Sequence, residues 1–142
     1  MSPAPHKHTI LYAEDDPDDL LMIRQAFEKF DNIAQLLHAS NGFEALEQLK
    51  KAKAEKNLPC LVILDINMPG MNGRDALVRI RQSENFKDLP VVLFTTSSSE
   101  LDKVFAKKWR AEFITKPLIY SELEVLAKRF ASLCTAAVSE KI

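Results

Sequence analysis

Four polar clusters stand where apolar runs end, and their residue types suit one kind of chemistry. Glu14-Asp15-Asp16 follows Thr9–Ala13, and Asp65 follows Cys60–Leu64 and leads into Ile66-Asn67-Met68-Pro69-Gly70. Thr95-Thr96 closes Pro90–Thr95, and Lys116-Pro117 follows Glu112–Thr115. Carboxylates gathered together are costly without a counter-ion, since two like unit charges about 4 Å apart repel by roughly 4 kcal/mol at an effective dielectric of about 20. A divalent cation and a lysine are the natural remedies. An all-oxygen ligand set with positions left for water suits Mg²⁺, and Lys116 offers a compact charge for a carboxylate or a phosphoryl group. An aspartate can itself carry a phosphoryl group, and Thr95 adds a neutral hydroxyl. Such a set fits in-line phosphoryl transfer to Asp65 by positioning and charge neutralisation.

The elements that must position these residues alternate regularly. Apolar runs at Thr9–Ala13, Ala34–His38, Cys60–Leu64, Pro90–Thr95 and Glu112–Thr115 read as strands, two of them nearly continuous in apolar residues, as in strands buried on both faces of a parallel sheet. Between them lie helical signals. Asp16 before Pro17 suits an N-cap, with Leu20, Ile23, Phe27 and Phe30 on one face. Asn41 with Glu44, and Ser121 with Glu124, resemble capping pairs, and Asn72 can cap 73–82. A fourth helix spans about Ser99 to Trp109. Five such alternations predict an α/β fold with a parallel sheet covered by helices on both faces. In such sheets ligands bind outside the carboxyl ends of the strands, where the four clusters fall.

The 142 residues, 46% hydrophobic and 27% charged, suit one globular domain. With 19 basic and 20 acidic residues the net charge is −1, which argues against a nucleic-acid or anionic-membrane binder. No apolar run approaches a membrane span and the N-terminus lacks an apolar signal region, so a cytoplasmic protein is expected. Cys60 and Cys134 read as two reduced, buried residues. Residues 1–8 read as a flexible leader, 9–134 as the domain, and 135–142 as a C-terminal tail. His6, His8 and His38 lack ligand spacing and read as incidental. The lysine-rich stretch 50–56 reads as a solvated helix end.

The segments ILYAEDD, LVILDINMPGMNG, PVVLFTTS and FITKP together closely resemble, in order, the motif blocks of response regulator receiver domains of two-component systems, across residues 8–134. The resemblance implies a flavodoxin-like sheet of order 2-1-3-4-5, a fold for which a receiver protein is itself a standing example. It implies that Asp65 is the phospho-acceptor, that Asp15 ligates Mg²⁺ directly and Glu14 through water, and that the Asn67 carbonyl completes the metal site. Lys116 corresponds to the lysine that contacts the phosphoryl group, and Pro117 follows it, in the family often through a cis Lys–Pro bond. Thr95 corresponds to the switch hydroxyl and Phe113 to the switch aromatic. The implied partners are a sensor histidine kinase or phosphotransfer protein and a downstream protein target, a second copy of the chain included. Output is expected through the face of the fourth helix, fifth strand and last helix, with Trp109 and Tyr120 as contacts.

The sequence departs from the family pattern in two places. Lys107–Glu112 is slightly short and lacks the glycine usual there. The segments Gln82–Leu89 and Lys50–Leu58 are longer than in the most compact members, which resembles regulators that work with phytochrome-type or hybrid kinases. Two rival functions stand beside this one. An aspartyl-phosphate phosphohydrolase would want a second acid where Asn67 stands, and a constitutive docking module would not need the full set Glu14, Asp15, Asp65, Thr95 and Lys116. Asp16 reads as a helix cap, and Asp18 and Asp19 as solvated acids favouring that helix's positive end.

Overall fold

The computed structural model describes residues 8–140, with side chains through residue 135. Ten elements alternate: β1 (His8–Ala13), α1 (Pro17–Glu28), β2 (Ala34–Ala39), α2 (Gly42–Ala54), β3 (Leu61–Asp65), α3 (Gly73–Gln82), β4 (Val91–Thr95), α4 (Glu100–Lys108), β5 (Glu112–Thr115) and α5 (Tyr120–Glu140). All strand pairings are parallel, in the order β2-β1-β3-β4-β5.

Side-chain alternation along the strands builds two cores. Leu11, Val62, Leu64 and Leu93 face α2, α3 and α4, meeting Leu49, Ala76, Leu77, Ile80 and Ala106. Ile10, Tyr12, Ile63, Val92 and Phe94 face α1 and α5, meeting Ile23, Phe27, Leu123 and Phe130. In the second core, aromatic rings run from Tyr12 to Phe94 to Phe130 to Phe27, with successive centroids 6.3, 6.3 and 6.4 Å apart. β3 and β4 are buried along their whole length, as their apolar runs predict, while β5 is a partly exposed edge.

Local capping sets where the helices begin. Asp16 Oδ1 accepts from the N–H groups of Asp18 (2.8 Å) and Asp19 (3.3 Å). Asn41 caps α2 through the Glu44 N–H and Asn72 caps α3 through the Asp75 N–H, each at 2.9 Å. Each cap satisfies backbone donors that the first turn leaves without intrahelical partners.

The segment without the expected glycine closes α4 in a different way. Arg110 adopts φ 58°, the left-handed position a glycine usually takes after a helix. Ala111 N–H reaches Ala106 O (2.8 Å) and Arg110 N–H reaches Lys107 O (3.2 Å), the paired bonds of a Schellman ending. The buried Arg81 side chain holds this turn. Its guanidinium donates to the carbonyls of Trp109 (2.9 Å), Arg110 (2.8 Å), Lys87 (2.9 Å) and Leu89 (2.7 Å). One side chain from α3 thus ties the approach to β4 to the approach to β5.

Several expectations are corrected. Cys60 and Cys134 form a disulfide, because the residue preceding β3 lies against α5 with the two Cα atoms 5.2 Å apart. Ser121 does not cap α5: the helix begins at Tyr120, and Ile119 O accepts from the N–H groups of Glu122 and Leu123. Glu124 instead pairs with Lys29. β1 begins at His8, within the stretch read as a leader, and α5 runs to Glu140, into the stretch read as a tail. His6 and the ends of the leader and tail lie outside the described residues. The Lys116–Pro117 bond is trans.

Candidate functional site

The carboxyl ends of β1, β3, β4 and β5 bring together most of the residues singled out by the sequence. Asp65 is the last residue of β3 and is buried, 6% exposed. Glu14 follows β1 directly and is more buried still, at 1%. Asp15 is exposed beside them. Glu14, Asp15 and Asp65 each offer a carboxylate oxygen within 4.8 Å of the others. That donor set is all oxygen, which fits a hard divalent cation and does not suit a soft one.

Lys116, just past β5, is the counter-charge. Its Nζ lies 2.6 Å from Glu14 Oε1, 2.9 Å from Asp19 Oδ2 and 3.3 Å from Asp65 Oδ2. The chain is held there by Lys116 N–H donating to Thr95 O at 2.7 Å. Burial works against the ammonium charge, but hydrogen bonds to Glu14 and Asp19 outweigh it and hold Lys116 protonated above its ordinary range. Glu14 is pushed up to about 7, by burial first and then by its contact with Asp65, against the pull of Lys116.

Three partners of this cluster were not legible in the sequence. Asp19 was read as solvated, yet it pairs with Lys116, because α1 starts immediately beyond β1 and its first turn overhangs the strand ends. Tyr12 donates its hydroxyl to Glu14 Oε1 at 3.0 Å, and burial together with Glu14 raises the phenol far above its ordinary range. His38, read as incidental, places Nε2 2.7 Å from Glu14 O. Acids in the first turn after a strand, and a tyrosine two residues before the acidic pair, were the available signals.

The remaining sequence candidates are spread more widely. Thr95 ends β4 fully buried, and its Oγ1 accepts from Ser97 N–H at 3.2 Å. Asn67 is exposed, and its N–H donates to Asp65 Oδ1 at 3.3 Å. Phe113 sits opposite Leu93 in the β4–β5 register and packs on the α2–α3–α4 core. Trp109 packs on the same core and against Phe105, so it is only part surface. Tyr120 is 37% exposed at the start of α5, and the preceding Leu118 and Ile119 are more exposed still.

The doubly wound parallel sheet and the carboxylate–lysine cluster at its strand ends are those of a domain suited to phosphoryl chemistry. The family model described as the response regulator receiver domain matches residues 10–128, and the chain belongs to that family. It is 33% identical over 110 residues to the protein PilH of Pseudomonas aeruginosa, covering 77% of this chain and 85% of that one. The phosphorylated cyanobacterial phytochrome response regulator RcpA superposes with a TM-score of 0.82 at 26% identity, covering 93% of this chain and 96% of that one. The Mn²⁺-bound response regulator Rcp1, a protein of Synechocystis, superposes with a TM-score of 0.76 at 26% identity, covering 88% and 92%. Among the described residues no helix is long and apolar enough to cross a membrane.

Proposed function

We propose that the chain accepts a phosphoryl group on Asp65 from the phosphohistidine of a sensor histidine kinase, of phytochrome type, or of a phosphotransfer protein. The observation that carries this reading is the setting of Asp65, a buried strand-end carboxylate with Lys116 Nζ 3.3 Å from Oδ2 and two further acids beside it. An Asp65 oxygen attacks phosphorus in line and a new P–O bond forms. The P–N bond breaks, and its electron pair stays on an imidazole that leaves neutral because its other nitrogen carries a proton. Lys116 is placed to meet the charge that builds on the phosphoryl oxygens.

Glu14, Asp15, Asp65 and the Asn67 carbonyl are the ligands that would hold Mg²⁺. When bound, the cation supplies neutralisation of the carboxylates and of the incoming phosphoryl group. The added charge, about −1.5 to −2 near neutral pH, draws Lys116 toward Asp65, and the Thr95 hydroxyl, which accepts from Ser97 N–H, turns to donate its O–H to a phosphoryl oxygen. Phe113 then repacks, and the α4–β5–α5 face changes, with Trp109 and Tyr120 carrying the signal to a downstream protein. Phosphorylation acts by favouring one of two conformations. The chain promotes only its own phosphorylation and dephosphorylation, in the cytoplasm. Asn67, in place of a second acid, disfavours the phosphohydrolase reading.

The test is incubation with Mg²⁺ and phosphoramidate followed by intact mass. The wild type is expected to gain one phosphoryl group and Asp65→Asn none. Equal gain by the variant would overturn the assignment.

A further inference from the structure

An ammonium has three N–H donors, and in Lys116 all three have carboxylate partners. The shortest contact is with Glu14 (2.6 Å), the next with Asp19 (2.9 Å), and the longest with Asp65 (3.3 Å). Asp19 belongs to none of the four motif blocks. Its own N–H bond to the capping Asp16 places its backbone in the first turn of α1, from which its carboxylate reaches Lys116. Lys116 is nine-tenths buried while the Asp19 side chain is 36% exposed. Both border a cavity of about 220 Å³ shared with Tyr12, Met22, Pro117 and Leu118, which leaves open space beside the ion pair.

We infer that Asp19 is a positioning residue that shares Lys116 with Asp65 and keeps the ammonium drawn toward α1, at 2.9 Å against 3.3 Å, until a phosphoryl group arrives. The inference rests on the reading of Asp65 as acceptor. In the unphosphorylated chain Asp19 and Glu14 together hold the lysine more closely than Asp65 does. A phosphoryl group on Asp65 adds a stronger acceptor, and the contact given up is the exposed one with Asp19, because Glu14 is buried and keeps its partner. Asp19 therefore opposes phosphoryl uptake twice, by occupying the lysine and by placing a negative charge where an anionic donor must approach. An acid here sets the threshold at which the domain responds.

The experiment compares the full chain with Asp19→Asn, Asp19→Glu and Asp18→Asn in phosphoramidate and Mg²⁺, following uptake by intact mass at low and high salt. Asp18 carries the same charge one residue earlier, is exposed, and serves as the control for net charge. Asp19→Asn is expected to take up the phosphoryl group about two- to five-fold faster at low salt, the size of one partly exposed ion pair. The gain should shrink in high salt as the charges are screened. Asp19→Glu should restore a rate near wild type, and Asp18→Asn should leave it unchanged. Equal rates for Asp19→Asn and wild type, or an equal gain from Asp18→Asn, would overturn the role of Asp19 while leaving the acceptor reading intact. A wild type that gains no phosphoryl group would overturn the acceptor reading and this inference with it.

Discussion

The Lys116 ammonium donates to Glu14 Oε1 at 2.6 Å, joining the ends of β1 and β5 across 102 residues of sequence. Both groups are largely buried, so the pair has little water to replace either partner. Removing Glu14 would leave the buried ammonium to Asp19 and Asp65, its two longer contacts.

The position of Glu14 produces a pH dependence of definite sign. Its folded-state value is raised to about 7. Between the ordinary carboxylate range and about pH 7, the folded chain therefore keeps a proton that the unfolded chain has released, and this group's contribution to stability falls as pH rises through that window. A divalent cation needs the ionised carboxylate, so binding releases the proton and strengthens as pH rises. Urea midpoints of cation-free wild type and Glu14→Gln across this range check the claim. The wild type should lose more stability than the variant on going to higher pH, and Mg²⁺ should reverse the loss; parallel curves would contradict it.

Gly73, the first residue of α3, lies close against the end of the acceptor strand. A Cβ built there would lie 2.2 Å from Asp65 O, which is backbone and cannot swing aside. Gly73→Ala should therefore displace the end of β3. The expected cost is about 1–3 kcal/mol of stability, together with slower phosphoryl uptake, measured by urea unfolding and intact mass. Wild-type behaviour in both would show that the close approach is relieved without moving Asp65.

Arg110 and Arg81 make opposite predictions. Arg110 occupies a left-handed backbone position that costs a residue with a Cβ about 1–2 kcal/mol, so Arg110→Gly should raise the urea midpoint. Arg81→Ala should lower it, since four carbonyls lose their shared donor. Trp109 fluorescence should shift with the second change, because its carbonyl is one of the four. A rise in stability for Arg81→Ala would sink this account of the α4–β5 turn.

The Cys60–Cys134 disulfide spans 74 residues. Native disulfides typically stabilise a fold by about 2–4 kcal/mol, and the loop-entropy contribution grows with loop length. Oxidised protein should therefore unfold at higher urea than protein kept in reductant, and Cys134→Ser should match the reduced form. Coincident curves would show that the bond adds nothing. Alkylation of freshly lysed cells before purification reports the state in the native compartment, where a glutathione-buffered cytoplasm would leave both residues as thiols.

The architecture and the main members of the site were legible in the sequence because they rest on local rules. Strands buried on both faces must be apolar throughout, so β3 and β4 announced themselves, and polar residues at their ends marked the site edge. The caps Asp16, Asn41 and Asn72 were legible because a cap is a hydrogen bond to a residue two or three positions away. Ser121 was misread because the same local pattern also occurs inside a first turn.

What the tertiary structure alone decided is pairing across distance. Asp19 meets Lys116 from 97 residues away, and Arg81 meets the Trp109 carbonyl from 28. Cys60 meets Cys134 only because α5 packs back over the start of β3. No periodicity encodes such partners, since they depend on strand order and on how far each helix slides along the sheet. The residue types determined that carboxylates would gather with a lysine at one edge of this protein. Only the packing of α1 over that edge decided that a third acid, Asp19, would share the lysine with Asp65.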